Sequence, residues 1–144
     1  MPIVEVIEPI SADANGNFQL RAEDVELHGQ QLKQETQGNR MCVGFWDNAD
    51  EWVSWNVRFA APGRYQVSAS CATTHPGSPF VLEVAGQSLP GKAKQTGAWD
   101  TFANADLGVI DIKQAGVQMV KVRPQDTATW QAMNLRSVRL SKVQ

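Results

Sequence analysis

From Trp52 to Val57 the side chains alternate in character: Trp52, Ser54 and Asn56 fall on one face, Val53, Trp55 and Val57 on the other. A period of two marks a strand with one face buried, and a slip of one residue would turn the whole apolar set into water. The pattern returns in Tyr65–Ala72, where Tyr65, Val67, Ala69 and Cys71 point in and Gln66, Ser68 and Ser70 point out. Other short apolar or alternating segments are Ile3–Glu8, Phe18–Ala22, Val25–Leu27, Met41–Phe45, Phe80–Ala85, Ser88–Ala93, Ala105–Ile112, Val117–Val122 and Met133–Leu140. Turn chemistry separates them at Asn15-Gly16, Pro62-Gly63, His75-Pro76-Gly77 and Gly86-Gln87. Gly29–Arg40, with four glutamines and no periodicity, reads as a long loop or a poorly paired edge. About ten strands at roughly 8–12-residue spacing, with no convincing amphipathic helix, predict an all-β antiparallel sandwich or barrel. Alternation assigns Val53, Trp55, Val57, Tyr65, Val67, Val84, Val120, Val122, Leu135 and Val138 to its core.

At 144 residues the chain is expected to be one domain, 1–144, large enough to bury a real core. Thirteen basic against fifteen acidic residues give a net charge of −2 with no basic stripe, which argues against nucleic acid as a partner. No apolar run approaches the ~18 residues a membrane span needs. The start, Met-Pro-Ile-Val-Glu-Val, lacks the basic and apolar regions of a signal peptide. A cytoplasmic protein and a domain of a longer secreted chain both remain open. Cys42 and Cys71 form no metal motif; each sits in an apolar strand-like stretch and reads as a small buried hydrophobe, a bridge requiring their strands to be neighbours.

Two loops stand out. Trp46-Asp47-Asn48-Ala49-Asp50 is too polar for a strand and too aromatic for an ordinary turn, and Thr96–Phe102 again sets a tryptophan, Trp99, beside an acid, Asp100. Indoles among carboxylates and amides suit a polar, ring-shaped ligand. Trp46 can equally plug the end of the core, its N–H satisfied while the ring stays dry. Catalytic motifs are missing: His28 and His75 are far apart, and no metal-binding, nucleophile-elbow or phosphate-loop pattern occurs. The acids Asp47, Asp50, Glu51 and Asp100 are the one enzymatic option, since a glycosidase needs two carboxyl groups in unlike environments.

In order and spacing, five stretches resemble the carbohydrate-binding modules of families 6 and 35, jelly rolls of the galactose-binding-like type. They are Arg21-Ala22-Glu23-Asp24, Asp50–Trp55, Pro62–Val67, Thr96–Phe102 and Met133–Val138. Leu27-His28-Gly29, Gly44–Asn48 and Asn134-Leu135-Arg136 are further similar to an accessory domain at the C-terminal end of bacterial secreted fucosidases and sulfatases. The resemblance implies a non-catalytic sugar-binding domain beside a catalytic domain in a longer secreted or periplasmic chain. Carried over residue by residue, it implies a ligand between loops at one end of the sandwich, on Trp46 (or Phe45), Trp99 and Asn134. Asp47, Asn48 and Asp100 are expected at the polar rim, and Trp130 either adds a platform or packs under its own loop. Such modules often hold a structural calcium between a glutamate, here Glu23, and an aspartate whose place Arg136 takes. A guanidinium cannot ligate a hard cation, so the departure puts calcium in doubt and predicts a Glu23–Arg136 ion pair instead. Two rivals stand beside this reading: a structural accessory domain without a sugar site, and a small polysaccharide hydrolase or lyase using the loop carboxylates.

Overall fold

The computed structural model describes residues 8–143. The strand expected over Ile3–Glu8 lies, apart from Glu8, outside the described residues. Eleven strands follow: β1 (Phe18–Arg21), β2 (Glu26–His28), β3 (Lys33–Gln37), β4 (Arg40–Gly44), β5 (Trp52–Phe59), β6 (Gly63–Ala72), β7 (Gly77–Val84), β8 (Gln87–Lys94), β9 (Ala103–Ile112), β10 (Gly116–Pro124) and β11 (Asn134–Lys142). Among the described residues the only helical element is a single 3-10 turn, Ala22–Asp24. One sheet has the order β3-β4-β11-β6-β9, with β1 also paired to β11; the other runs β2-β5-β10-β7-β8. All strand pairs are antiparallel, and Ile10 adds one isolated parallel bridge to Val57. The expected sandwich is the fold.

The two inner faces meet over a core containing all ten residues assigned to it from alternation. Phe18, Phe59 and Tyr65 gather at one place, ring centroids 5.0–5.7 Å apart and inclined to one another, the arrangement aromatic quadrupoles favour. Trp55 lies fully inside and donates its indole N–H to the Arg21 carbonyl at 2.9 Å, so no polar atom is stranded by its burial. The stretch expected as a loop or poor edge contains β3, paired with β4 over five residues from Lys33↔Gly44 to Gln37↔Arg40. Its side chains are almost all polar, so hydrophobic periodicity could not reveal it. An edge strand needs backbone partners on one side only, and polar side chains there discourage pairing with another chain.

Both cysteines are buried and free. Burial pushes each thiol up to about 12 from 9.0, and for Cys42 the nearby Glu35 carboxylate acts in the same direction. A raised acid pKa means the folded state holds its proton more tightly than the unfolded chain. The stabilisation is complete below about pH 9 and is lost progressively as pH rises toward about 12. Neither thiol should react with an alkylating reagent at pH 8 until the protein is unfolded, which mass spectrometry with and without urea would read. Rapid labelling of the native protein would contradict this burial.

Candidate functional site

Four connections converge at one end of the sandwich and are bound to one another through backbone groups. Thr96 and Gly97, between β8 and β9, donate to the Thr73 carbonyl between β6 and β7 at 3.0 and 3.3 Å. The Thr73 hydroxyl donates to the Ala132 carbonyl at 2.8 Å, drawing in the β10–β11 connection. Trp130 of that same connection donates its indole N–H to the Trp46 carbonyl, 3.0 Å away between β4 and β5. The Asn134 side-chain amide donates to the Trp99 carbonyl at 2.9 Å. These bonds fix the loops that carry the aromatic side chains.

A cleft of about 250 Å³ opens among them, lined by Glu35, Gln37, Phe45, Asp47, Trp99, Ala132, Met133 and Asn134. Trp99 is half-buried, its ring edge-on to His75 at 5.9 Å, and it stands on the Gly97 turn, where φ is +83°. Phe45 is 48% exposed and sits at φ +56°, a left-handed conformation that few non-glycine residues adopt. That backbone twist separates two adjacent rings. Phe45 turns outward, with the Lys33 ammonium 4.5 Å from its centroid, and Trp46 turns inward.

Trp46 is therefore a correction to the sequence expectation. It is 0% exposed, its indole N–H bonded to the Glu51 carbonyl at 3.0 Å, its ring 5.2 Å from that of Trp130. It plugs the end of the core and offers no face to a ligand; of the two neighbouring rings the resemblance offered, Phe45 is the exposed one. Trp130 is partly buried against the core, lies outside the cleft lining and packs over Trp46. Of the expected rim residues, the exposed Asp47 lines the cleft, whereas Asn48 and Asp100 are exposed outside its lining. Gln31 ties Asp47 and Asn48 together, donating to the first at 2.8 Å and accepting from the second at 2.9 Å. Glu35 and Gln37 were missed. They alternate at i and i+2 on β3, a period visible only to a reader already treating that polar segment as a strand.

Glu51, one of the candidate catalytic acids, is 5% exposed and accepts three backbone N–H bonds, from Gln30 (2.6 Å), Gln31 (2.9 Å) and Leu32 (3.2 Å). Its lone pairs are committed to holding the β2–β3 connection against the β4–β5 loop. A Cβ at Gly29 would fall 2.2 Å from this carboxylate, so the chain can pass only as glycine. Glu51→Ala would strand those donors, and a loss of about 2–4 kcal/mol in urea unfolding is expected. A variant as stable as the parent would remove the staple from this account.

The expected Glu23–Arg136 ion pair does not form. Both residues line one recess, but the Arg136 guanidinium lies 4.0 Å over the Phe102 ring, and Glu23 stays exposed on the 3-10 turn. Nor do these residues suit calcium. A guanidinium stands where the resemblance puts a carboxylate ligand, and it cannot ligate a hard cation.

The family model for carbohydrate binding module (family 6) matches residues 21–142, most of the chain and all of the site. The chain belongs to this family. A family 35 carbohydrate binding module from Clostridium thermocellum superposes on the module with TM-score 0.71 at 19% identity, covering 86% of this chain and 96% of that one. The CsCBM6-3 module from Clostridium stercorarium, solved in complex with cellobiose, gives 0.69 at 20% identity, covering 96% and 100%. A GH26-CBM35 β-(1,4)-mannanase from Podospora anserina gives 0.72 at 17% identity, covering 90% of this chain and 28% of that one. At such identities the superpositions establish the shared fold of the module. A sequence search of curated proteins returned no match.

Proposed function

We propose that this module is non-catalytic and binds a saccharide in the loop cleft, holding one sugar ring between Phe45 and Trp99. The observation that carries the reading is Phe45 itself, half exposed in a left-handed backbone conformation at the lip of a cleft that Trp99 also lines. Sugar rings present apolar C–H faces that rest on aromatic rings, and their hydroxyls need amide and carboxylate partners. Glu35, Gln37, Asp47 and Asn134 surround the two rings and offer those groups. The cellobiose bound by the Clostridium stercorarium module supports a saccharide as the ligand class.

Catalysis is disfavoured by the fate of the acids. Three of the four candidate acids are out of play, Glu51 being spent on backbone amides and Asp50 and Asp100 lying outside the cleft lining. Asp47 alone of them lines it, and with Glu35 of β3 it serves in this reading as an acceptor for sugar hydroxyls. An accessory role beside a catalytic domain in a longer secreted or periplasmic chain fits the mannanase, whose chain extends well beyond the matching part. Two platforms and a few hydrogen bonds give a Kd in the micromolar-to-millimolar range. Titration calorimetry with cello-, manno- and xylo-oligosaccharides should find at least one ligand in that range, with affinity lowered about tenfold in Phe45→Ala. Absence of binding across such a panel by a folded protein would favour the structural accessory domain.

A further inference from the structure

Next to the cleft lies a recess of about 320 Å³ whose lining includes Arg21, Arg40 and Arg136, with Gln19, Asn39 and Ser137 between them. Arg21 is paired with Asp24 at 3.3 Å. Arg40 and Arg136 have no carboxylate within ion-pair distance among the described residues. The Arg136 Nε is also the one buried side-chain polar atom among them that lacks a hydrogen-bond partner. Arg136 feels both the loss of water and the positive charge of Arg40, each of which lowers its proton affinity. Two guanidiniums that line one recess, close enough to disfavour each other's charge and without a carboxylate partner, form an arrangement that an oxyanion seated in the recess would relieve.

The recess and the sugar cleft share three elements. On β11, Asn134 lines the cleft and Arg136, two residues farther on at the β-bulge between Leu135 and Ser137, lines the recess. Gln37 and Arg40 stand on either side of the turn between β3 and β4. Phe102, beneath the Arg136 guanidinium, ends the loop that presents Trp99. A charged substituent on a sugar seated in the cleft, or on the next unit of its chain, lies within reach of the guanidiniums.

We propose that this recess is an oxyanion subsite, taking a carboxylate or sulfate ester carried by the glycan that the cleft binds. The sugar-borne part rests on the saccharide-binding reading above; the anion-binding part does not. The Arg136 guanidinium is held over the Phe102 ring, and the exposed Arg40 supplies the second fork. Glu23, on the same rim, sets a negative charge against any anion placed toward the 3-10 turn and so favours the Arg40–Arg136 side.

The test follows the arginine Nε–H resonances by NMR in the full 144-residue chain during titration with sodium sulfate, sodium glucuronate, glucose 6-sulfate and glucose at constant ionic strength. Sulfate should shift Arg136 Nε–H, and one charged sugar should bind about tenfold more tightly than glucose. Arg40→Gln, a change at an exposed position, should reduce that preference about tenfold without altering glucose binding. Glucuronate against glucose 6-sulfate tells carboxylate from sulfate ester. No shift of Arg136 Nε–H with any anion overturns the subsite. A shift with inorganic sulfate but with neither charged sugar overturns its assignment to a glycan. Glucose binding without any preference for charge overturns the subsite and leaves the saccharide reading standing. Anion shifts with no sugar bound, charged or neutral, likewise overturn the assignment to a glycan and keep only the anion recess, and the oligosaccharide panel above then decides the saccharide reading on its own.

Discussion

Trp46→Ala is expected to destabilise the protein by about 3–5 kcal/mol, the range found when a large aromatic is removed from a packed interior. Three consequences coincide at this residue. Its ring fills the loop end of the core at 0% exposure, between the Glu51 carbonyl its indole N–H binds and the Trp130 indole that binds its own carbonyl. The Trp130 ring loses the surface it packs on. The Glu51 carbonyl loses its donor inside the protein. Urea unfolding monitored by circular dichroism would show a midpoint well below that of the parent. A loss under about 1 kcal/mol, accompanied by weakened sugar binding, would return Trp46 to the ligand and remove it from the core.

Trp99→Ala should do the opposite. Removing a half-exposed platform is expected to weaken saccharide binding by about 1–3 kcal/mol, roughly five- to 150-fold, with unfolding stability within about 1 kcal/mol of the parent. The reason stability is spared lies in the backbone. Asn134 donates to the carbonyl of residue 99, and Thr96 and Gly97 donate to Thr73, so the loop is held by groups the substitution leaves in place. Trp55→Ala provides the contrast. That residue faces the core on β5, and its loss should lower stability by about 3–5 kcal/mol while a protein that remains folded keeps its ligand. Equal affinity of Trp99→Ala and parent for a ligand that Phe45→Ala loses would leave Phe45 as the sole platform.

The roles of Phe45 and Trp46 show where reading the chain reaches its limit. Both rings are plain in the sequence, one after the other, in a segment too polar for a strand. Choosing which faces water requires the backbone angle at Phe45, and that angle follows from where β4 ends against β11 and where Glu51 binds the preceding connection. Glu51 makes the same point from the other side. As a letter it is an acid beside an aromatic, available for chemistry; in space three amides from twenty residues earlier consume it. The Glu23–Arg136 pair was argued from the charges alone, and the ring of Phe102 offered the guanidinium a competing seat.

What the sequence determined by itself was the sandwich and its inside. A period of two is a local property of six to ten residues, and burial of one face follows from it without knowing the partner strand, which is why every core residue assigned by alternation is buried. The family was legible for the same reason, through short motifs in order along the chain. Tertiary structure decided how the candidate cleft is assembled around Trp99, Asn134 and Asp47, the residues already singled out along the chain. Its lining comes from β3, the β4–β5 and β8–β9 connections, and the start of β11, segments up to about a hundred residues apart that meet only through long-range pairing. Polar β3 carries no periodic apolar signal, so Glu35 and Gln37 entered the cleft unannounced, placed there by hydrogen bonds to β4.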